Sequence, residues 1–373
     1  MKDIIVIGGG VSGFLAANLF LSFGNVGKVT HIFSKDVPPI GVGEGTTPTF
    51  VETLAAIGVK LPEFMAATNA TIKRGVHYKG WWSNDFINPF TPKQMNREEL
   101  SAYMSAILNK EAFNAESLSG IHFDCFKAID FFKAKANKDS RYNHISGFAE
   151  VDYSPEKVQS VSVNGETITA DYYVNAAQAG LFGEEYEHVN DYNNTAVVTH
   201  VDKKGDFHYT EALAMSAGWR WAIPLRDKVG YGYVFDSGEI TVDDATEELR
   251  KSVGQEIDTR VVRYQSKYAK KAFLDNACTL GLAQNFLDPL DTLSLMTTSL
   301  TLLGINFHFL FGNTYDSNIS YINLINDCKL HLNAQYKLSV GTTPYWVKRQ
   351  NKDVRIANKN NPISRHTFAG RGF

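Results

Sequence analysis

The sequence predicts an α/β fold: a nucleotide-binding domain with a parallel sheet, into which a substrate-binding region of mixed sheet and helices is interleaved. Three observations carry this. A short β-branched run, Asp3-Ile4-Ile5-Val6-Ile7, meets Gly8-Gly9-Gly10-Val11-Ser12-Gly13 and opens a stretch with apolar helical spacing from Phe14 to Phe23. A second strand pattern, Val29 to Ser34, follows a turn containing Gly24 and Gly27 and completes a βαβ unit. Much later, Ala149 to Ala176 alternates as strands do around an Asn164-Gly165 turn, and Asp171 to Val174 returns toward the first sheet, as in split nucleotide-binding domains.

Between and after these segments the pattern is helical from Phe50 to Met65, strand-like over residues 194–240, helical from Asp243 to Val253, and a long apolar helix from Leu295 to Leu310. No internal repeat interrupts it. Residues 1–347 read as one interleaved unit, and the basic, polar stretch 348–373 reads as a frayed tail.

The 373 residues are enough to bury a large core without staples, and 44% hydrophobic with 21% charged residues is the composition of a soluble globular chain. A net charge of -3 and the lack of a polybasic stretch argue against nucleic acid or a membrane surface as partner. Cys125, Cys278 and Cys328 stand apart from one another, so they read as buried thiols, with neither a disulfide framework nor a metal site. The apolar run Ile4 to Ile7 is too short, and too soon broken by glycine, for a signal peptide or a span; the expected location is the cytoplasm. A homo-oligomer is compatible with all of this.

Gly8, Gly10 and Gly13 fit G-x-G-x-x-G between a strand and a helix, where each glycine has a job: a tight turn, close approach of a pyrophosphate, and close helix–strand packing. The carboxylate that usually holds an adenosine ribose should follow the second strand. Phe33 stands there and cannot accept those hydrogen bonds; Asp36 lies a few residues on.

Four further segments carry chemistry. Gly41-Val42-Gly43-Glu44-Gly45-Thr46-Thr47-Pro48 offers backbone N–H groups without side-chain obstruction, suited to a flat ring or a phosphate. In Gly218-Trp219-Arg220-Trp221-Ala222-Ile223-Pro224 the two tryptophans alternate, so in a strand they share one face and build an aromatic wall. Lys73 lies within Thr68 to Val76, whereas nearby Lys79 reads as a surface charge. Gly281 to Ser294 contains Asp288 and Asp291, which are either acids of a site or helix caps before Leu295.

Taken together, these segments resemble the flavin-dependent halogenases of the tryptophan-halogenase type: Gly41 to Pro48 is similar to the family's GVGEAT-type segment and Gly218 to Pro224 to its W-x-W-x-I-P signature. Thr68 to Val76 resembles the segment with the family's catalytic lysine, Gly281 to Ser294 its G-L-x-x-x-F-x-E-P-L-E-S-T-G run, and His331 through Trp346 its C-terminal region. The resemblance spans Ile4 to about Trp346. It implies an FAD-binding Rossmann-like domain of the group A flavin-monooxygenase type, with FAD-binding segments near 1–50, 149–183 and 272–300.

Carried onto this chain, it implies FAD contacts from Gly8, Gly10, Val11, Ser12, Gly13, Gly41, Val42, Gly43, Glu44, Gly281 and Leu282. The reduced cofactor would come from a separate flavin reductase, and with dioxygen and a halide ion it would generate hypohalous acid for a small aromatic substrate. Lys73 would then be catalytic, polarising the oxygen–halogen bond or, with a depressed pKa, forming a haloamine, with Asp291 assisting as base or electrostatic partner. Trp219, Trp221, Ile223 and Pro224 would shield the flavin, and Thr292, Leu293 and Ser294 would hold the halide. No metal is implied.

The chain departs from the family in three ways. Both family glutamates are aspartates, Asp288 and Asp291, and Leu293-Ser294 replaces Thr-Gly, which predicts bromide or iodide over strongly hydrated chloride. It is also shorter than the tryptophan-specific enzymes, which predicts a more open pocket. An FAD-dependent aromatic monooxygenase and a non-catalytic flavoprotein are the alternatives on the same fold.

Overall fold

Six strands form the nucleotide-binding sheet of this computed structural model, which describes residues 1–37, 41, 43–90, 119–189, 193–205 and 207–351. Their order is Phe273–Leu274, Ala277–Thr279, Tyr172–Asn175, Lys2–Ile7, Val26–Ile32, Tyr142–Ile145, with only the Phe273–Leu274 edge antiparallel. Tyr172–Asn175 pairs with Lys2–Ile7 in parallel, Ile5 opposite Tyr173, so the returning segment closes the sheet as its sequence suggests. The residues between 149 and 168 form a separate antiparallel sheet, and its turn has Asn164 and Gly165 at φ 54° and 82°, the left-handed pair of a tight hairpin.

Helix α1 (Val11–Leu21) is apolar on every side, and the fold uses every side: it packs on the strands Lys2–Ile7 and Val26–Ile32, on α4 (Cys125–Ala136) and on α6 (Leu293–Phe311). Between α1 and α4 lie α2 (Pro48–Ala56) and α3 (Leu61–Ala67). The continuous helix expected from Phe50 to Met65 is thus two helices. Gly58 takes φ 70° and ends the first, and Pro62 opens the second, where its missing N–H costs nothing.

The second layer is a seven-stranded sheet ordered Arg260–Arg263, Thr195–Asp202, Lys228–Phe235, Gly218–Pro224, Thr210–Met215, Gly75–Lys79, Phe86–Pro89. A small sheet joins Glu44–Gly45 and Thr71–Lys73 to the two sides of Gly120–Phe123. That pairing draws the second glycine loop and the lysine segment together. Helix α5 (Val242–Val253), expected from Asp243 to Val253, is capped by Thr241 and closed by left-handed Gly254. The chain then runs through α6, α7 (Thr314–Lys337) and α8 (Pro344–Gln350).

The tail expected from Lys348 therefore begins inside α8. Arg349 is buried with its guanidinium 3.6 Å from the centre of the Tyr345 ring, a packing role that a basic sequence does not disclose. Residues 352–373 lie outside the described residues. Helix α6 with the turn before it is long and apolar enough to cross a membrane, but about half of that stretch (53%) is buried inside the fold, as in a core helix. The three cysteines are all buried and free.

Candidate active site

At the glycine turn the side chains are missing because the backbone has taken their space. A Cβ on Gly8, which sits at φ 125°, would lie 2.4 Å from the Ala176 carbonyl oxygen, and one on Gly13 would lie 2.0 Å from that of Gly8. Gly10 is different. No atom of the described residues lies within 4 Å of where its Cβ would be, and as N-cap of α1 it offers the first N–H groups of the helix no side-chain acceptor. The open glycine at an uncapped helix start is the cradle a pyrophosphate needs, so these residues fit FAD.

Gly281, at φ 61°, approaches Ser12 so closely that a Cβ would lie 2.5 Å from its Oγ, which brings the 281–283 turn against the glycine turn; Leu282 beside it is half-exposed. Val11 opens α1. Val42 lies outside the described residues. Gly41 and Gly43 have φ 69° and 81°, and Gly43 faces Ile223 at 3.5 Å from its Cβ position. Glu44 pairs with Phe123 across the small sheet, and burial pushes its carboxyl up to about 7. Phe33 packs against Gly9 and stacks on His144 at 4.0 Å, while Asp36 accepts from Ser34 at the surface.

The second glycine loop ends in the lysine pocket. A Cβ on Gly45 would meet Thr292 Oγ1 at 3.2 Å, Lys73 Nζ at 3.3 Å and Thr210 Oγ1 at 3.4 Å. Lys73 is fully buried, donates to Thr292 Oγ1 at 2.7 Å, and has its ammonium 5.5 Å from the Phe90 ring centre. Burial lowers its pKa to about 8, against the Asp291 charge that raises it. His122, one strand over, is held by Thr210 and Thr71, and burial together with Lys73 drives it well below its usual range, so it is neutral. Lys79 instead pairs with Glu211 at 2.5 Å, partly exposed.

Asp291 and Thr292 stand at φ 57° and 62°, two consecutive non-glycine residues in the left-handed region just before α6. For a β-branched threonine that conformation is strained, at on the order of 1–3 kcal/mol, and persists where contacts over-determine it. The contacts are present. Asp291 Oδ2 accepts from Tyr78 Oη at 2.6 Å and from His331 Nε2 at 2.5 Å, while Thr292 accepts from Lys73. Burial disfavours the Asp291 carboxylate, yet His331, Tyr78 and Lys73 hold it below its usual range, so it is ionised. Asp291 is therefore no helix cap. Leu293 is buried, and Ser294 gives its carbonyl to Thr297 and Thr298.

Asp288 serves elsewhere. Its carboxylate accepts from the Leu290 N–H and from Tyr336 and Asn193, and Tyr336 Oη in turn accepts from Trp219 Nε1 at 3.1 Å. Burial raises Asp288 to about 6. Trp219 and Trp221 share one face with ring centres 6.1 Å apart, and Trp221 lies flat over Gly232, where a Cβ would be 2.0 Å from its ring. Pro224 ends that strand, and its carbonyl accepts from Thr71. The wall is larger than its motif: Trp81 touches Trp219, Trp346 and Trp82, so all five tryptophans of the chain join one run of ring contacts.

Sequence reasoning missed Tyr78 and His331 as partners of Asp291. They lie 213 and 40 residues from it, and no local pattern connects them. Among the described residues, no group of three or more His, Cys, Asp or Glu is placed to hold a metal.

Sheet order and glycine turn define the class: an α/β fold of the FAD-binding Rossmann-like kind. The family model for tryptophan halogenase matches residues 3–154 and 105–362. The chain thus belongs to the tryptophan halogenase family and is a flavin-dependent halogenase, an oxidoreductase. It is 23% identical to a tryptophan 7-halogenase of Lentzea aerocolonigenes and 25% identical to a tryptophan 6-halogenase of Streptomyces albogriseolus, in each case over 96% of this chain and 80% of the relative. A flavin-dependent halogenase from Xanthomonas campestris superimposes with a TM-score of 0.85 at 20% identity, over 95% of this chain and 81% of that one.

Proposed function

We propose that the protein halogenates an electron-rich aromatic small molecule at Lys73, with FAD reduced by a separate flavin reductase, dioxygen and a halide ion as co-reactants. The observation that carries this reading is the fully buried Lys73 ammonium near an ionised, largely enclosed Asp291, whose charge acts on it. Bound reduced flavin supplies the electrons with which dioxygen turns halide into hypohalous acid.

Lys73 then donates a hydrogen bond to the hypohalous oxygen and draws electron density from the oxygen–halogen bond. As that bond breaks, the halogen joins the ring and the oxygen takes the proton of the Lys73 ammonium and leaves as water; the proton that the ring gives up by way of Asp291 restores the ammonium. The ring's C–H electron pair restores aromaticity, and its proton goes to Asp291. Trp219 and Trp221, with Ile223 and Pro224, form the wall between flavin and substrate. A halide near Thr292, Leu293 and Ser294 would meet the uncapped start of α6 and apolar Leu293, a setting that favours weakly hydrated bromide or iodide over chloride.

The test supplies FAD, a flavin reductase, NADH and one halide at a time, and reads an aromatic panel by mass spectrometry. Halogenated arene is expected, with bromide or iodide ahead of chloride; oxygenated arene alone would overturn the reading.

A further inference from the structure

Asp291 uses its two oxygens unequally. Oδ2 accepts from both Tyr78 and His331, whereas Oδ1 is buried with no hydrogen-bond partner among the described residues. A buried, unpaired carboxylate oxygen is costly, and it is tolerated where a ligand completes it. Because an ionised carboxylate only accepts, Nε2 of His331 carries the proton of that contact. Both donors are themselves fixed: the Tyr78 ring packs edge-on to Trp81 and against Trp82, and His331 is buried in the interior of α7.

We propose that Tyr78 and His331 are positioning residues for Asp291: they tie down one carboxylate oxygen so that the other, Oδ1, is the acceptor offered to the proton leaving the ring. The inference rests on the reading of Lys73 and Asp291 above. It also gives a reason for the left-handed backbone at Asp291, since the two donors on strand Gly75–Lys79 and on α7 pull the shorter acid toward themselves. Among the described residues, the charged and titratable groups that act most strongly on Asp291 are His331, Tyr78 and Lys73. Burial opposes its ionisation and these three restore it. Loss of a donor therefore raises its pKa, and the carboxylate is lost to protonation at a higher pH.

The experiment reads Asp291 directly and through catalysis. Full-length protein labelled with 13C at aspartate Cγ, with the Asp291 signal assigned by its loss in Asp291→Asn, is titrated as wild type, Tyr78→Phe, His331→Gln and the double variant. Tyr78→Phe keeps the ring and its packing, so it tests the donor and not the fold. The Asp291 transition is expected at higher pH in Tyr78→Phe and highest in the double variant, with His331→Gln, which keeps an N–H donor, nearer wild type. In the holoenzyme supplied with reductase and bromide, the acid limb of kcat/KM for indole should move the same way, with on the order of tenfold loss per pH unit moved. An Asp291 transition unmoved in Tyr78→Phe and in the double variant would overturn the proposal. Absence of bromoindole from the wild type at every pH would count against the functional reading alone, because the titration would still decide the role of the donors.

Discussion

At the glycine turn the backbone is the site, whereas around Lys73 the site is made of side chains gathered from four places in the chain. Gly8, Gly10 and Gly13 lie within six residues of one another and work by what they lack. Lys73, Tyr78, Asp291, Thr292 and His331 come from two strands, a left-handed turn and a helix, and work by what they donate and accept. The first kind of site tolerates no added atom at Gly8 or Gly13 but is indifferent to titration. The second depends on charge and reach, and on the strained backbone at Asp291 and Thr292 that its hydrogen bonds hold.

The contrast is broken most directly by Lys73→Ala. Organohalide should fall by on the order of 10²–10⁴-fold while FAD affinity, read by fluorescence titration, stays within a factor of two or so. Parallel loss of both would mean that the two regions are one site. Gly13→Ala is the converse test, since its Cβ would overlap the Gly8 carbonyl at 2.0 Å. It should weaken FAD binding and lower thermal stability by about 1–3 kcal/mol, as a lower Tm would show.

Asp291→Asn should reduce organohalide by about 10²-fold, the low end for a general base, because loss of the ring proton is rarely the slow step. Peroxide release from the flavin should change much less. The pH response separates the regions further. Burial places Lys73 near 8, so its ammonium persists below that pH and gives way to the amine above it. Organohalide yield should therefore decline as pH rises through about 8, while FAD affinity does not follow; a flat yield from pH 7 to 10 would show that hydrogen-bond donation by the ammonium is dispensable. The smallest effect is expected from Phe33→Glu, which restores a ribose acceptor beside Gly9. FAD should bind a few-fold more tightly, roughly 1 kcal/mol, and FMN, which has no adenosine, should bind as before.

Much of this architecture is legible along the chain because it rests on local rules. A strand running into a glycine turn and then a helix fixes the first βαβ unit, Thr241 and Gly254 bracket α5, and Asn164-Gly165 makes its hairpin, each from a few adjacent residues. The fold of the glycine turn was readable for that reason, whereas the candidacy of Lys73 rested on the resemblance of Thr68 to Val76 to the family's lysine segment. The break at Gly58 was not read because the helical periodicity continues across it, and Arg349 was mistaken for tail because nothing adjacent reveals the Tyr345 ring it stacks on.

Sequence by itself determined the nucleotide-binding half, where the constraint is steric and lies within one turn of chain. Only the tertiary structure decided that the two aspartates have different partners: Asp288 joins Asn193 and Tyr336 under the tryptophans, and Asp291 joins Tyr78 and His331 beside Lys73. Only two residues separate these acids in the chain. Which donors reach them depends on α7 and on the strand Gly75–Lys79 folding back over the turn before α6, and a carboxylate's charge state follows from the donors that surround it in space.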